Sequence, residues 1–361
     1  MAMFRSMLLS AAAALALLTA TGAAAEGFRD LLDTPAEASP LAARTLFNGL
    51  AVAGGRVVAV GQRGHIMLSD NRGTTWRQAQ VPVSTDLVAV HFPTPRQGWA
   101  VGHDGVVLHS ADGGETWMRQ LDGRTLGKTV TAAYSAMAAA GELGDADQAA
   151  AILADAERFA AQGVDTPILD VWFADEKHGF VVGAFNLILK TEDGGQTWRP
   201  WFHRTDNPRG LHFYAVRPAG GALFIAGEQG LLLRWNPETL RFAAVELPYN
   251  GTLFGIAGAG DAAVVFGLRG NAFRSADGGV TWDKVETGVQ VGLTGAAGAD
   301  GRLLMVSQAG HLLVSADGGQ HFQPAPVGGP LPAAAVADAG NGVVVIAGPR
   351  GLRALDLSRA P

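Results

Sequence analysis

The chain has 361 residues, with 27 Lys and Arg against 33 Asp and Glu for a formal net charge of −6, 49 glycines and no cysteine. The missing cysteine excludes disulfides, a thiol nucleophile and thiolate metal sites and leaves no lipid anchor expected; a chain this long buries a core without covalent staples. An acidic balance with no long basic run gives no support to nucleic-acid binding.

In chain order, residues 1–25 read as a leader segment. Arg5 is their only charge, Met7 to Leu18 is an apolar run too short to span a bilayer comfortably, and Ala23, Ala24 and Ala25 offer small residues for cleavage. Export to the periplasm, or to a thylakoid lumen in a photosynthetic cell, is the expectation.

From residue 69 a phrase recurs, Ser/Thr-x-Asp-x-Gly-x-Thr-Trp. It stands as SADGGETW (110–117), TEDGGQTW (191–198) and SADGGVTW (275–282), with looser copies SDNRGTTW (69–76) and SADGGQHF (315–322). The key positions are Asn71, Asp112, Asp193, Asp277 and Asp317, followed by Trp76, Trp117, Trp198 and Trp282. Starts at 69, 110, 191, 275 and 315 lie 41, 81, 84 and 40 residues apart, so the unit is one four-stranded propeller blade. The 84-residue gap hides a blade whose phrase has decayed to RWNPETLRF (234–242).

A second phrase, an apolar strand running into a glycine-marked turn, occurs seven times, from VVAVGQRG (57–64) to VVIAGPRG (344–351). The architecture expected is therefore an all-β, seven-bladed propeller of Asp-box (BNR) repeats, with blades at about 46–82, 86–122, 168–205, 210–248, 251–288, 291–327 and 331–359. In each box the Asp carboxylate accepts from N–H groups of its own turn and the Trp serves as a packing anchor, a structural role. The last unit lacks a convincing outer strand. Phe28 to Pro35 (FRDLLDTP) resembles Trp76 to Pro82 and is expected to supply it.

Residues 123–167 interrupt the ring. Thr129 to Ala140 and Ala146 to Ala161 read as helices, Asp145 and Gln148 having capping-box spacing and Ile152, Leu153, Ala156, Phe159 and Ala160 forming one apolar stripe. This helical hairpin is a rim decoration, a lid or a partner clamp.

Strand alternation sorts the loops. Box turns share one face of the disc with the loops between strands a and b; the b–c turns share the other with the connections from strand d to the next blade. The hairpin is one of those connections, which makes the second face the candidate functional surface. Its turns carry Arg63, Phe185, Arg269 and Arg350, and Arg209 lies in a neighbouring connection; arginine forks suit carboxylates and backbone carbonyls of an acidic or extended partner. As ordinary turn residues they would serve solubility alone. His212 and Tyr214 stand just inside strand a of the fourth blade.

Nine histidines show no tight ligand spacing and no phosphate loop is present, so neither a metal nor a cofactor is expected. A sialidase needs an arginine triad and a tyrosine–glutamate nucleophile, and a generic glycosidase two carboxylates about 5–9.5 Å apart. Tyr134 lies in the insertion, and Asp104 and Glu228 sit two blades apart, so a glycoside hydrolase or carbohydrate-binding propeller is the alternative to a protein-binding factor.

The run from Phe92 to Trp117, FPTPRQGWAVGHDGVVLHSADGGETW, together with LDVWF (169–173), TEDGGQTW and the sevenfold count, resembles the BNR-type photosystem II assembly/stability factor family of plants and cyanobacteria, with its exported bacterial relatives. The resemblance covers about residues 44–356. It implies a non-catalytic monomer in the lumen or periplasm whose arginine-rich patch holds a precursor membrane subunit, and by position Arg63, Arg269 and Arg350 are the nearest equivalents. The hairpin departs from that family. Exported relatives with such a hairpin and a phrase like DNPRGLHFYAV (206–216) also occur outside photosynthetic bacteria, where the implied partner is a membrane transporter.

Overall fold

The computed structural model describes residues 29–358 apart from positions 300 and 330; the leader segment read over residues 1–25 lies outside them. Seven antiparallel sheets form a seven-bladed propeller, six of four strands and one of three. The innermost strands are Phe47–Ala53, Leu87–His91, Ile168–Phe173, Phe213–Ala219, Leu253–Ala259, Leu293–Ala299 and Ala335–Asp338. Second strands such as Val343–Gly348 and Ala262–Gly267 are almost wholly buried, since each is covered on both faces by neighbouring blades.

Hydrogen bonds in and around the Asp boxes fasten blades 2, 3, 5 and 6 each to the one before it. In the second box the Ser110 hydroxyl donates to Asp112 Oδ1 (2.8 Å) and accepts from Gly114 N–H (2.8 Å), Thr116 N–H donates to the same Asp112 oxygen (3.0 Å), and Trp117 Nε1 donates to Gly114 O (2.9 Å). The carbonyl at the next turn position is then taken by the preceding blade. Arg56 donates to Gly113 O (2.9 Å), Gln120 to Gly194 O (2.8 Å), Arg234 to Gly278 O (2.7 Å) and Arg274 to Gly318 O (2.7 Å). Asp277 and Asp317 are held well below the usual carboxylate range, the first chiefly by the Thr281 hydroxyl and the second by the His321 backbone N–H.

The insertion forms two helices, α1 (Gly123–Ala139) and α2 (Ala146–Ala161). The first starts six residues before the sequence reading because the Asp122 carboxylate accepts from Arg124 N–H and caps it there. Asp145 and Gln148 complete a reciprocal capping box on the second. Leu126, Val130, Tyr134 and Met137 of α1 and Ala156 and Phe159 of α2 enter the same core cluster as Trp201 and Phe202 of blade 3. The hairpin is thereby bolted over the outer edge of that blade, which has only the short strand Arg199–Pro200 outermost.

The N-terminal segment departs from the expected closure. The seventh sheet contains Ala335–Asp338, Val343–Gly348 and Gly351–Asp356 and no fourth strand among the described residues. Residues 31–36 instead clip onto blade 1: Ser84 N–H donates to Leu31 O (2.8 Å), Ala36 N–H to Val81 O (3.0 Å), and Leu32 fills a cluster with Val81 and Val83. Asp33 meets Arg124 at the start of α1 (2.7 Å), a pairing no strand-like reading of FRDLLDTP contains. The ring closes by packing of Phe47–Ala53 beside Ala335–Asp338, with Phe47, Ala59 and Ala347 in one cluster.

Candidate functional site

The b–c turns and the d–a connections meet on one face, and the contact is close enough to demand glycine. A Cβ on Gly64, Gly270 or Gly351 would lie 2.1, 1.8 or 2.4 Å from the carbonyl oxygen of Val83, Val289 or Ala43, and each of these glycines has positive φ. The residue before each glycine also turns left-handed in several blades: Arg63 (φ 56°), Gln229 (φ 53°) and Arg269 (φ 57°). That conformation throws the side chain outward at Arg63 and Arg269, and Arg350, before Gly351, is exposed as well. Among the described residues none of the three has a carboxylate within ion-pair distance.

Blade 3 breaks the glycine rule. Phe185 (φ 58°) and Asn186 (φ 62°) occupy the two turn positions, both left-handed and neither glycine. The neighbouring connection is rebuilt to hold them. Asn186 N–H donates to Leu211 O (3.2 Å), and its Oδ1 accepts from Thr205 Oγ1 (3.1 Å) and from the buried Asn207 (3.0 Å). Phe185 N–H donates to His212 Nδ1 (2.8 Å), and the two rings meet edge to face at 4.7 Å. The Phe185 ring remains 46% exposed, one of the few large apolar side chains left open to solvent.

Phe185 stands at the lip of a cleft of about 770 Å³ between α2 and blades 3 and 4. Ile152, Asp155, Arg158 and Phe159 form the helical wall, while Asn207, Pro208 and Arg209 form the opposite one. The floor is Tyr134, Phe202 and His203. Buried Tyr134 bonds through its hydroxyl to His203 Nδ1 (3.1 Å), and burial, aided by Arg204, depresses the imidazole to about 4, so it is neutral and able to accept. Arg241 donates to His203 O (2.8 Å) and pairs with Asp206 (3.1 Å), and Arg158 pairs with Asp155. Among the described residues Arg209 bonds to the neutral Gln229 Oε1 (2.7 Å) and has no carboxylate partner, which leaves its charge uncompensated on the rim.

Of the five face residues singled out in the sequence, the structure brings Phe185 and Arg209 together at this cleft. Arg63, Arg269 and Arg350 stand apart on blades 1, 5 and 7 and line none of it. His203, Arg158 and Arg241 were missed because their convergence depends on where the hairpin docks; only the Ile152–Phe159 stripe signalled that it must dock. Asp104 accepts from the hydroxyl of Thr85, in the connection leading into its blade, and Glu228 accepts from His212 N–H (3.0 Å), so the two carboxylates are tied to different blades. Among the described residues no group of three or more His, Asp or Glu is placed to hold a metal ion. No helix among them is long and apolar enough to cross a membrane.

A family model described as photosynthesis system II assembly factor YCF48 matches residues 58–142 and 154–326, with the break inside the hairpin. A Ycf48 photosystem II assembly lipoprotein from Synechocystis is 36% identical over 73 residues, 20% of this chain and 21% of that protein. A Synechococcus Ycf48 assembly protein is 28% identical over 177 residues, 46% of this chain and 52% of that protein. The chloroplastic stability/assembly factor HCF136 of Cyanidioschyzon merolae is 44% identical over 48 residues, 13% of this chain and 11% of that protein. The matched stretches thus span about a tenth to about half of the length of these relatives. Among solved structures, Ycf48 bound to a D1 peptide superposes with a TM-score of 0.60 at 17% identity, covering 86% of this chain and 92% of that one. Ycf48 from Cyanidioschyzon merolae gives 0.57 at 15% identity, covering 87% and 96%. At such identities the structures share the fold.

Proposed function

The chain belongs to the photosynthesis system II assembly factor family, and from that premise we propose that it is a non-catalytic, exported propeller that holds a segment of a membrane protein during assembly. The observation that carries the reading is the Phe185–Asn186 turn. Six blades end this turn in glycine; blade 3 keeps a left-handed Asn186 there, after a left-handed Phe185 that stands where other blades have Arg63, Gln229 or Arg269, and it presents an exposed aromatic ring. Strain of that kind persists where a presented side chain has a use, and exposed aromatics beside an arginine are typical anchors of an interface.

The relative solved with a D1 peptide shows that a Ycf48 propeller takes a membrane-protein segment. In the present chain the partner is proposed to be a photosystem subunit or, in a cell without photosystems, a transporter, met in the periplasm or lumen. Phe185 and Arg209 form the anchor, and Arg63, Arg269 and Arg350 add a separate cationic sector across the same face.

The test is affinity capture from detergent-solubilised membranes of the source cell, comparing the native protein with a Phe185→Ala/Arg209→Ala form and an Arg63/Arg269/Arg350 triple-alanine form. A membrane protein recovered by the native chain and depleted about tenfold with the first variant supports the assignment, as expected when interface anchors are truncated. Recovery of none, or equal recovery with every variant, overturns it.

A further inference from the structure

The central bore carries a feature of its own, independent of the partner reading. Six of the seven inner strands are interrupted at the same place by a β-bulge. In blade 1, for example, Phe47 pairs with Gly61 and Gly49 with Val60, which leaves one residue between them unpaired. The bulged residues are Asn48, Val88, Leu169, Tyr214, Phe254 and Thr294. Every one is half-buried and directly follows a buried residue, and every one lines a cavity of about 600 Å³ that the inner strands enclose. Ala334 takes the corresponding place in blade 7. A bulge re-aims a side chain that regular pleating would send elsewhere, and here it sends a ring of them into one space.

That ring is chemically lopsided. On one side Tyr214 and Phe254 meet edge to face at 5.7 Å, with Leu169 beside them. Across the bore stands Asn48, whose amide donates to Leu87 O (2.9 Å) and so turns Oδ1 free to accept. Tyr214 Oη has no hydrogen-bond partner among the described residues. The deeper wall holds Asp170 and Arg217, paired at 2.6 Å, with Arg217 also donating to Val171 O and Val216 O (2.8 Å each). The charges of this pair cancel. Half-exposed aromatic area facing a polar acceptor in a space of this size fits a flat apolar body with one polar end.

We propose that the bore is a binding socket for a neutral phenol-class ring, its body against Leu169, Tyr214 and Phe254 and its hydroxyl donating to Asn48 Oδ1. The same chemistry arrives from two sources, a free phenolic molecule or a tyrosine side chain of a segment docked at the mouth. The test is a titration of the full exported chain with p-cresol, followed by saturation-transfer and chemical-shift NMR. Saturable binding is expected, with toluene at least about tenfold weaker because a socket built to bond a hydroxyl rejects the analogue that lacks one. Asn48→Leu should bring the two ligands level. Thr294→Trp, which fills the bore, should abolish binding, while Arg77→Ala, in the outermost strand of blade 1, should leave it intact.

N-acetyl-tyrosinamide binding as tightly as p-cresol assigns the socket to a docked side chain; its exclusion while p-cresol binds assigns it to a free molecule. Absence of saturable p-cresol binding to the native chain overturns the proposal. So does binding that discriminates toluene equally well after Asn48→Leu, a variant whose melting temperature shows whether it is folded.

Discussion

Ser275→Ala removes one hydroxyl that does two jobs in the box of the fifth blade. Ser275 Oγ accepts from Gly279 N–H (2.8 Å) and donates to Asp277 Oδ1 (2.7 Å), and the serine is 1% exposed. The Gly279 N–H cannot swing out to water, because the preceding carbonyl of Gly278 is held by Arg234 at 2.7 Å. A buried unpartnered N–H costs about 1–3 kcal/mol and loss of the bond to the carboxylate adds about 1 more, so the expected destabilisation is roughly 2–4 kcal/mol. For a chain of this size that is a fall of roughly 3–6 °C in melting temperature. Ser275→Thr should cost far less, since Thr191 makes the same pair of bonds in the third box (2.8 and 2.9 Å). Scanning calorimetry of the two variants decides the matter. A Ser275→Ala protein within about 0.5 kcal/mol of the native one, or a threonine variant as weak as the alanine one, would refute the reasoning.

Two other perturbations follow from the charges. Asp277 is depressed by hydrogen bonds, first from the Thr281 hydroxyl, so its contribution is complete above the unfolded carboxylate value near ~4 and is lost as pH falls through the lower folded value. Asp277→Asn should therefore lower the melting temperature at pH 7 and converge on the native protein toward about pH 2, whereas changing the already neutral Asn71 to alanine should show no such convergence. Arg217→Leu should destabilise by about 3–5 kcal/mol at pH 7, because it strands Asp170 in the core. Burial already holds the Asp170 carboxyl above its ordinary value, with Arg217 pulling the other way; without that arginine it rises further. The variant must then regain stability relative to the native chain as the pH drops and Asp170 takes a proton, and urea unfolding at pH 7 and pH 4 would show this; equal losses at both values would argue that Asp170 carries no charge to begin with.

What was legible in the sequence follows from which interactions are local. A box binds its own turn within four residues, so its spacing reported blade size directly, and the seven turn phrases gave the count where a box had decayed. Blade 4 shows why that decay is tolerated. In its c–d turn Asn236 Oδ1 accepts from Glu238 N–H (2.9 Å) and Thr239 N–H (3.1 Å), and Arg204 of the preceding blade donates to Thr239 O (3.3 Å), so an amide and an outside arginine replace the box carboxylate. Closure was misread because FRDLLDTP resembles a post-box strand locally, while its destination is decided by Asp33 meeting Arg124, 91 residues away. The cleft was legible only in part. Phe185 and Arg209 stood out as members of a repeated turn and its connection, but His203, Arg158 and Arg241 reach the site through docking of the hairpin. The bulge ring left no signature at all, because a bulge is a mismatch between two strands and neither strand alone records it.

The central claim is that the face bearing the b–c turns and the hairpin holds the partner, while the box face is structural. The most direct measurement is capture of the membrane partner by four folded proteins in parallel: native, Phe185→Ala/Arg209→Ala, Ser275→Thr and Arg77→Ala, the last on the box face, where Arg77 pairs with Asp70 and Glu115. The account predicts full capture by the native, Ser275→Thr and Arg77→Ala proteins and depletion of about tenfold or more with the Phe185/Arg209 form. Capture lost with Arg77→Ala and kept by the Phe185/Arg209 form would contradict it and move the binding site to the opposite side of the disc.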